Sequence, residues 1–247
     1  MSSRKYSVSG TGPRTLPQPR QALLAESEPT VEAQQVVALA IRQLRRIELP
    51  ADTIALAKFL VGKIIVRALP GAKLSGRIVE TEAYPPKDPA AHHFRGQTPR
   101  NRSMFLERGH AYVYFTYGNH FMLNVTAELS GVGGGVLIRA LQPLAGIEYM
   151  QRRRATIRIR DLARGPGRLA QALEIDRGLD GIDLCAPGPL WLGALKPIAS
   201  SDPAMASAAN ELLGISTRIG ITRAADRRLR FYQRNSPYVS GPTRLNV

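Results

Sequence analysis

The stretch Arg77-Ile-Val-Glu-Thr-Glu-Ala-Tyr84 is the part of this sequence around which the rest is organised. Its alternation predicts a β-strand, because successive side chains of a strand point to opposite faces of a sheet. Glu80, Glu82 and Tyr84 are therefore expected to share one face, which places carboxylates beside an aromatic ring. The residues expected on the opposite face are Val79, Thr81 and Ala83.

A tyrosine-rich hairpin follows this strand. Two strands, near residues 111–117 and 120–126, flank the strong turn signal Gly118-Asn119. The length of the turn decides which side chains share a face. A two-residue turn would place Tyr114 and Asn124 on opposite faces, whereas a three-residue loop beginning at Gly118 would set them directly opposite each other on the same face.

The remaining periodic segments predict further strands and short helices, with no internal repeat. Pro143 is expected to open a helix as its first residue, since proline fits that position. Predicted helices cover residues 31–46, 52–61, 143–154, 165–173 and 202–213. Predicted strands besides the hairpin cover residues 64–69, 75–84, 136–141, 190–192, 216–221 and 230–232.

Composition indicates a globular domain that binds a polyanion. The chain has 247 residues, 44% of them hydrophobic, and a net charge of +15, and such charge favours nucleic acid because lysine and arginine release counterions from a phosphate backbone. No apolar run long enough to span a bilayer is present. Residues 1–28 are predicted to be a flexible basic tail, and residues 29–247 a single domain.

The N-terminus and the cysteine content predict an intracellular protein. The N-terminus lacks the apolar core of a secretory signal peptide. Cys185 is the single cysteine, so the chain can form neither an internal disulfide nor a thiolate metal cluster. Both features fit a reducing compartment. We expect a cytoplasmic, DNA-associated protein, or a nuclear one in a eukaryote.

Arg139 lies in the otherwise apolar strand 136–141. A guanidinium in such a place needs a carboxylate partner, because an unpaired buried charge is very unfavourable. Glu82 and Glu80 are the natural candidates. The pair is either an inert buried ion pair or part of an active site, since both arrangements perturb ionisable groups.

The aromatic side chains and the histidines leave several interpretations open. Tyr84 and Tyr114 could pack within a sheet, as strand aromatics do, or could wall a pocket. Tyr117, at the hairpin tip, suggests a wedge pushed into a base stack. His92 and His93 lack the spacing of a metal site, and a loop histidine is either exposed or a contact for a base.

Glycoside hydrolysis by the paired carboxylates is a second interpretation of the acidic strand. Two same-face strand positions have Cα atoms about 6.6 Å apart, which suits a two-carboxylate mechanism. The strong positive charge and the single tryptophan, Trp191, argue against it.

The sequence resembles the alkyladenine (3-methyladenine) DNA glycosylase family from about residue 50 to the C-terminus. The matching motifs are Arg77-Ile-Val-Glu-Thr-Glu-Ala-Tyr84, Ala90-Ala-His92, Gln97-Thr-Pro-Arg-Asn-Arg102, Tyr112-Val-Tyr114, Tyr117-Gly118, Asn124, Leu137-Ile-Arg-Ala-Leu-Gln-Pro143, Gly165-Pro166, Gln171-Ala-Leu173 and Phe231-Tyr-Gln-Arg-Asn-Ser-Pro237. Many ordered motifs make a chance resemblance very improbable.

This resemblance implies an α+β fold: a single mixed domain with a curved, mainly antiparallel β-sheet, flanking helices and a protruding hairpin. It implies a monofunctional hydrolase that flips a damaged purine out of double-stranded DNA and leaves an abasic site. The roles it implies are Glu82 as the base that activates water, Arg139 as its partner, Tyr84, His92 and Tyr114 as pocket walls, Tyr117 as the intercalating residue, and Asn124 as the group that excludes bases with an extra amino group.

The same resemblance implies a monomer that works without a cofactor, a metal or a membrane. The doubled His92-His93 leaves the stacking histidine open by one position. Two other activities stay open: a protein that binds lesion DNA without cleaving it, and a bifunctional lyase, which would need an amine nucleophile in its pocket.

Overall fold

The computed structural model describes residues 41–116, 118–196 and 212–246. In the described residues the chain forms one antiparallel sheet with helices packed against it. The α+β class predicted from the sequence is confirmed. The strands are β1 (Ile41–Gln43), β2 (Ile64–Leu69), β3 (Ala72–Tyr84), β4 (Ala111–Thr116), β5 (His120–Thr126), β6 (Gly135–Ala145), β7 (Leu190–Leu195), β8 (Leu213–Ser216) and β9 (Arg230–Gln233).

The α-helices of the described residues are short. They are α1 (Thr53–Leu60), α2 (Ile147–Arg154) and α3 (Pro166–Ala172). The carboxylate of Asp52 caps α1 by accepting a hydrogen bond from the amide of Ala55. Leu56, Ala57 and Leu60 of α1 are fully buried, so this helix is held by packing its apolar face against the sheet.

The long strand β3 lies at the centre of the sheet. The strand order is β1-β7-β2-β3-β6-β5-β4, and β9 joins both β3 and β8. One edge of β3 pairs first with β2, over residues 72–77, and then with β9, over residues 80–82. The other edge pairs with β6. The acidic motif therefore lies where three strands meet.

Irregular pairing between β3 and β6 redirects side chains at this point. The register shifts on both sides of Glu80, as a β-bulge does when it inserts an unpaired residue and turns a side chain. Val79 consequently packs in a separate small cluster with Tyr232 and Val239. Strict alternation had grouped Val79 with Thr81 and Ala83, and for Val79 that prediction is wrong. Glu80 and Glu82 share a face, as predicted, since both contact Arg139.

Three predicted elements differ from the structure. The end of the predicted helix 31–46 is instead β1, which pairs with the edge of β7; residues 31–40 lie outside the described residues, as do 202–211 of another predicted helix. Pro143 continues β6 rather than starting a helix. It can do so because β5 pairs with β6 only up to Leu137, so the missing amide of Pro143 faces no strand on that edge.

The predicted strand 216–221 is also wrong in its larger part. Strand β8 ends at Ser216, and the residues after it leave the sheet. Their backbone turns towards β3, where the amide of Ile219 donates a hydrogen bond to the carboxylate of Glu82. The residues after Ser216 thus supply a hydrogen bond to this buried carboxylate instead of continuing the sheet.

The hairpin β4–β5 has a register that neither expected turn describes. Thr116 pairs with His120, whereas the three-residue loop considered above would extend the first strand by one further position. Tyr112 lies directly opposite Asn124, and Tyr114 opposite Met122. Tyr114 and Asn124 share a face, as neighbours on the diagonal.

The main hydrophobic core lies between the sheet and the helices and includes Ile78, Ala83, Ile138 and Leu169. Within the ranges described above, no helix is both long and apolar enough to cross a lipid bilayer.

Candidate active site

A pocket of about 390 Å³ opens between the hairpin, the end of β3 and the loop after β8. This volume falls within the range of small-molecule sites, roughly 300–1,000 Å³. The face of the hairpin that carries Tyr112, Tyr114 and Asn124 lines one side. Tyr84 and Arg139 line another, together with the backbone at residues 219–221. The sequence motifs therefore converge on one cavity.

Aromatic rings form the walls of this pocket. The ring centroids of His92 and Tyr114 are 4.4 Å apart with planes at 70°, and those of Tyr112 and Tyr114 are 5.3 Å apart and stacked. Nδ1 of His92 and the hydroxyl of Tyr112 are 2.9 Å apart. Burial lowers the pKa of His92, and the charge of Arg100 lowers it further. The imidazole is therefore neutral at pH 7.

The two adjacent histidines have different environments. His92 lines the pocket, whereas His93 is buried elsewhere, with its Nε2 at 3.0 Å from the carbonyl oxygen of Pro85. Of the two, only His92 is placed to contact a bound base.

Glu82 lies immediately behind the pocket wall. Its side chain is 0% exposed. Its Oε1 accepts a hydrogen bond of 2.7 Å from the amide of Ile219 and lies 3.2 Å from Nη1 of Arg139. Its Oε2 accepts a hydrogen bond from the hydroxyl of Tyr84 at 2.9 Å. Each of these partners lines the pocket, so the carboxylate is separated from the cavity by residues that it contacts directly.

Arg139 has the carboxylate partner that the sequence required, and in fact has two. Its Nε donates to Oε1 of Glu80 at 2.9 Å, while its Nη1 contacts Glu82. Burial by itself would lower the pKa of Arg139, but Glu82 and Glu80 outweigh burial and raise it. The guanidinium is therefore a permanent cation at the base of the pocket.

Tyr84 joins the pocket to a second buried ion pair. The guanidinium of Arg218 lies over its ring at 4.6 Å, and Arg218 is paired with Asp88 at 2.6 Å. Burial raises the pKa of the Tyr84 hydroxyl, and the neighbouring Glu82 raises it further. The phenol consequently keeps its proton and remains a hydrogen-bond donor to Glu82.

Sequence reasoning missed three contributors to the site: Ile219, Arg218 and Arg230. Arg230 gave no comparable signal, because it lies within the arginine-rich segment Arg227-Arg-Leu-Arg-Phe-Tyr-Gln-Arg234 and does not stand alone in an apolar run as Arg139 does. Ile219 acts through its backbone amide, and a backbone contact cannot be inferred from the type of the residue.

Tyr117 lies outside the described residues. Asn124 is buried, and its Nδ2 donates to the carbonyl oxygen of Tyr112 at 3.2 Å. Among the residues that the structure describes, no group of three or more His, Cys, Asp or Glu side chains is arranged to hold a metal ion.

A carboxylate held by a guanidinium behind a pocket of aromatic rings, on a strongly basic protein, is the arrangement expected of a hydrolase that acts on a planar base of nucleic acid. Comparison with known proteins gives the particular family. The chain belongs to the methylpurine-DNA glycosylase family, whose sequence model matches residues 48–237. Its members hydrolyse N-glycosyl bonds in DNA, and this chain is such an enzyme.

Individual relatives agree with this assignment. A protein of Mesorhizobium japonicum named as a 3-methyladenine DNA glycosylase is 60% identical over 202 residues, which cover 82% of this chain and 92% of the relative. A relative of the same name from Paraburkholderia phytofirmans is 46% identical, covering 85% and 93%. The human DNA-3-methyladenine glycosylase is 44% identical, covering 76% of this chain and 64% of the human protein.

Proposed function

We propose that this protein is a monofunctional glycosylase that flips alkylated or deaminated purines out of duplex DNA and hydrolyses their N-glycosidic bond. The product is an abasic site, the first intermediate of base excision repair. The observation that carries the proposal is the position of Glu82, directly behind a ring-walled pocket and bonded to Tyr84, Arg139 and Ile219.

The pocket supports recognition of a flipped base. A base leaves the duplex only if the site replaces the stacking that it loses, and ring faces do so at about 1–3 kcal/mol per base. Tyr84, His92 and Tyr114 line the pocket and supply such rings. The amide of Asn124, fixed by its bond to Tyr112, opposes purines that carry an additional exocyclic amino group.

Glu82 is the proposed general base. It takes a proton from a water molecule as the water oxygen bonds to the anomeric carbon, while the bond from that carbon to the base nitrogen breaks and its electrons leave with the base. The sugar gains positive charge in this transition state, so a nearby carboxylate stabilises it electrostatically as well. A cationic alkylated purine leaves as a neutral base without further activation, whereas a deaminated purine leaves as an anion and takes up a proton from solvent.

Arg139 and Tyr84 prepare the carboxylate for this role. A carboxylate has about four acceptor sites, and the contacts within the described residues use three of those of Glu82, leaving one on Oε2. Because the side chain is fully buried, stacking of a base on Tyr84 must shift that ring enough to open Oε2 to water.

The lining of the pocket favours hydrolysis over a lyase reaction. A lyase needs an amine nucleophile, and none of the described residues that line the pocket is a lysine. Borohydride reduction during the reaction would therefore trap no covalent adduct between protein and DNA.

The positive charge of the protein and the hairpin are proposed to provide the remaining interactions with DNA. The charge of +15 attracts the phosphate backbone. Tyr117, between the strands of the hairpin in sequence, is proposed to fill the space that the flipped nucleotide leaves. The enzyme is proposed to act as a monomer on genomic DNA inside the cell.

Base excision from defined duplexes tests the proposal. Wild type, Glu82→Gln and Glu48→Gln would be compared on duplexes with a single deoxyinosine and on methylated DNA, with abasic sites detected by alkaline cleavage. Glu48 is a matched control, since its carboxylate pairs with Arg42 and Arg45 away from the pocket. Loss of general-base catalysis is worth about 10²–10⁴-fold, so we expect a loss of that size for Glu82→Gln alone. Equal activity of wild type and Glu82→Gln would refute the mechanism.

A further inference from the structure

Four buried charged side chains form a line that leads from the pocket into the protein. Glu82 contacts Arg139, Arg139 contacts Glu80, and Oε1 of Glu80 also accepts a hydrogen bond from Nε of Arg230 at 2.6 Å. The exposed fraction of these side chains is 8% for Arg139 and 0% for the other three. Negative and positive groups alternate, and the four charges sum to zero.

Glu80 is the link between the two guanidiniums. Burial alone would raise the pKa of Glu80, but Arg139, Arg230 and a hydrogen bond from the amide of Ser240 outweigh burial and lower it. Glu80 is therefore an anion. It competes with Glu82 for the single positive charge of Arg139, since like charges this close disfavour each other's ionisation.

Arg230 removes this competition. Its guanidinium balances Glu80, which leaves the charge of Arg139 to Glu82. A guanidinium has five N–H donors, and Arg230 uses each of them. The acceptors besides Glu80 are the Ser216 hydroxyl (2.8 Å), the Leu245 carbonyl (3.0 Å), the Ser240 carbonyl (3.0 Å) and the Asn246 side chain (2.7 Å).

Neither Glu80 nor Arg230 lines the pocket, so neither can touch a bound base. We propose that Glu80 and Arg230 are positioning residues for the hydrolysis: together they fix Arg139 against Glu82 and set the charge around the general base. This inference rests on the proposed function. The alternative is an ion pair that contributes only to folding stability, and the two differ in how a change of charge affects the reaction.

The positioning role predicts opposite effects for the two single variants. Glu80→Gln removes a negative charge near Glu82, so the acid limb of the pH–rate profile moves to lower pH. Arg230→Gln removes the balancing positive charge, so that limb moves to higher pH, by about one unit for about 1.4 kcal/mol of altered interaction. The double variant Glu80→Gln/Arg230→Gln restores neutrality, and its acid limb returns to the wild-type position.

The experiment is single-turnover excision of hypoxanthine from a deoxyinosine duplex, with enzyme in saturating excess, from pH 4.5 to pH 9. Affinity for the same duplex is measured in parallel and is expected to stay within about threefold, because no contact to the base changes. Arg46→Gln is the matched control, since it also removes a guanidinium from a carboxylate, Asp183 (2.5 Å). The acid limb of the pH–rate profile of Arg46→Gln is expected to coincide with that of wild type.

Acid limbs that coincide for all folded variants, or that move in the same direction, overturn the inference. If Arg230→Gln does not fold, Glu80→Gln decides alone, and an unchanged or raised acid limb is then the contrary result. Failure of the proposed function has a different signature: Glu82→Gln, assayed in the same series, would be as active as wild type. If Glu82→Gln is inactive while the Glu80 and Arg230 variants leave the acid limb unshifted, only the positioning role is overturned.

Discussion

The hydroxyl of Tyr84 donates a 2.9 Å hydrogen bond to Oε2 of Glu82, two positions earlier on the same strand. Residues two apart on a strand share a face, so the ring that lines the pocket and the proposed base are joined by local geometry alone. Stacking of a base on that ring is thereby coupled to the carboxylate that is proposed to activate the attacking water.

Replacement of Tyr84 by phenylalanine separates these two functions. The ring remains, so affinity for lesion DNA should change by less than about threefold. The carboxylate loses one charged hydrogen bond, worth about 1.5–3 kcal/mol, and the acid limb of excision should move to higher pH by one to two units at about 1.4 kcal/mol per unit. Tyr84→Leu is the control and should weaken binding as well. An unchanged pH profile of Tyr84→Phe would contradict the coupling.

Glu80 makes folding stability sensitive to acid. Its pKa is lowered in the folded protein, so its contribution is complete above the unfolded-state pKa, about 4.3, and is lost as the pH falls through the folded-state value. Glu80→Gln should lower the free energy of unfolding by about 3 kcal/mol at pH 7, the cost of breaking a buried pair. Urea unfolding at several pH values measures this. The difference from wild type should shrink below pH 4, and a constant difference would show that Glu80 is not the titrating group.

The adjacent histidines should give opposite results. His92→Ala removes a wall of the pocket and should lower the single-turnover rate about tenfold or more, with little change in stability. His93→Ala removes a buried ring whose hydrogen bond to Pro85 is lost, and should destabilise the fold by about 1–3 kcal/mol. The rate of folded His93→Ala should stay within about threefold of wild type. If His93→Ala lowered the rate and His92→Ala lowered the stability, the assignment of the two histidines would be wrong.

Asn124 should control which purines are accepted. Asn124→Ser shortens the side chain next to Tyr112 and removes the opposition to an exocyclic amino group. Release of 7-methylguanine from methylated DNA, measured against release of 3-methyladenine from the same sample, should rise several-fold. The 3-methyladenine rate is an internal control. An unchanged ratio of the two released bases would show that Asn124 does not determine specificity.

The pairing of Arg139 with acidic residues of β3 could be predicted because burial of a lone guanidinium is so unfavourable. The same logic could not single out Arg230, which lies in an arginine-rich segment, and the sequence does not show that its strand lies beside β3. The bulge at Glu80 was beyond prediction as well, since one unpaired residue leaves no mark on composition. It nevertheless decides that Val79 leaves the main core and that Arg139 reaches both carboxylates.

The hairpin shows the limit of turn signals. Gly118-Asn119 correctly marked the connection, yet the observed register pairs Tyr112, and not Tyr114, with Asn124. Pairing of Thr116 with His120 keeps Tyr112, Tyr114 and Asn124 together. A local motif indicates where a chain turns, but it does not determine the register in which the two strands pair.

The hydrogen bonds made by Arg230 also have a consequence for synthesis of the protein. Its acceptors at Ser240, Leu245 and Asn246 are translated long after the strand that carries Glu82. A nascent polypeptide can thus assemble the aromatic walls while its charge network is still open. On this inference, a chain truncated before Ser240 would still carry the residues of the aromatic walls, but the acid limb of its pH–rate profile would be shifted relative to that of the full-length protein.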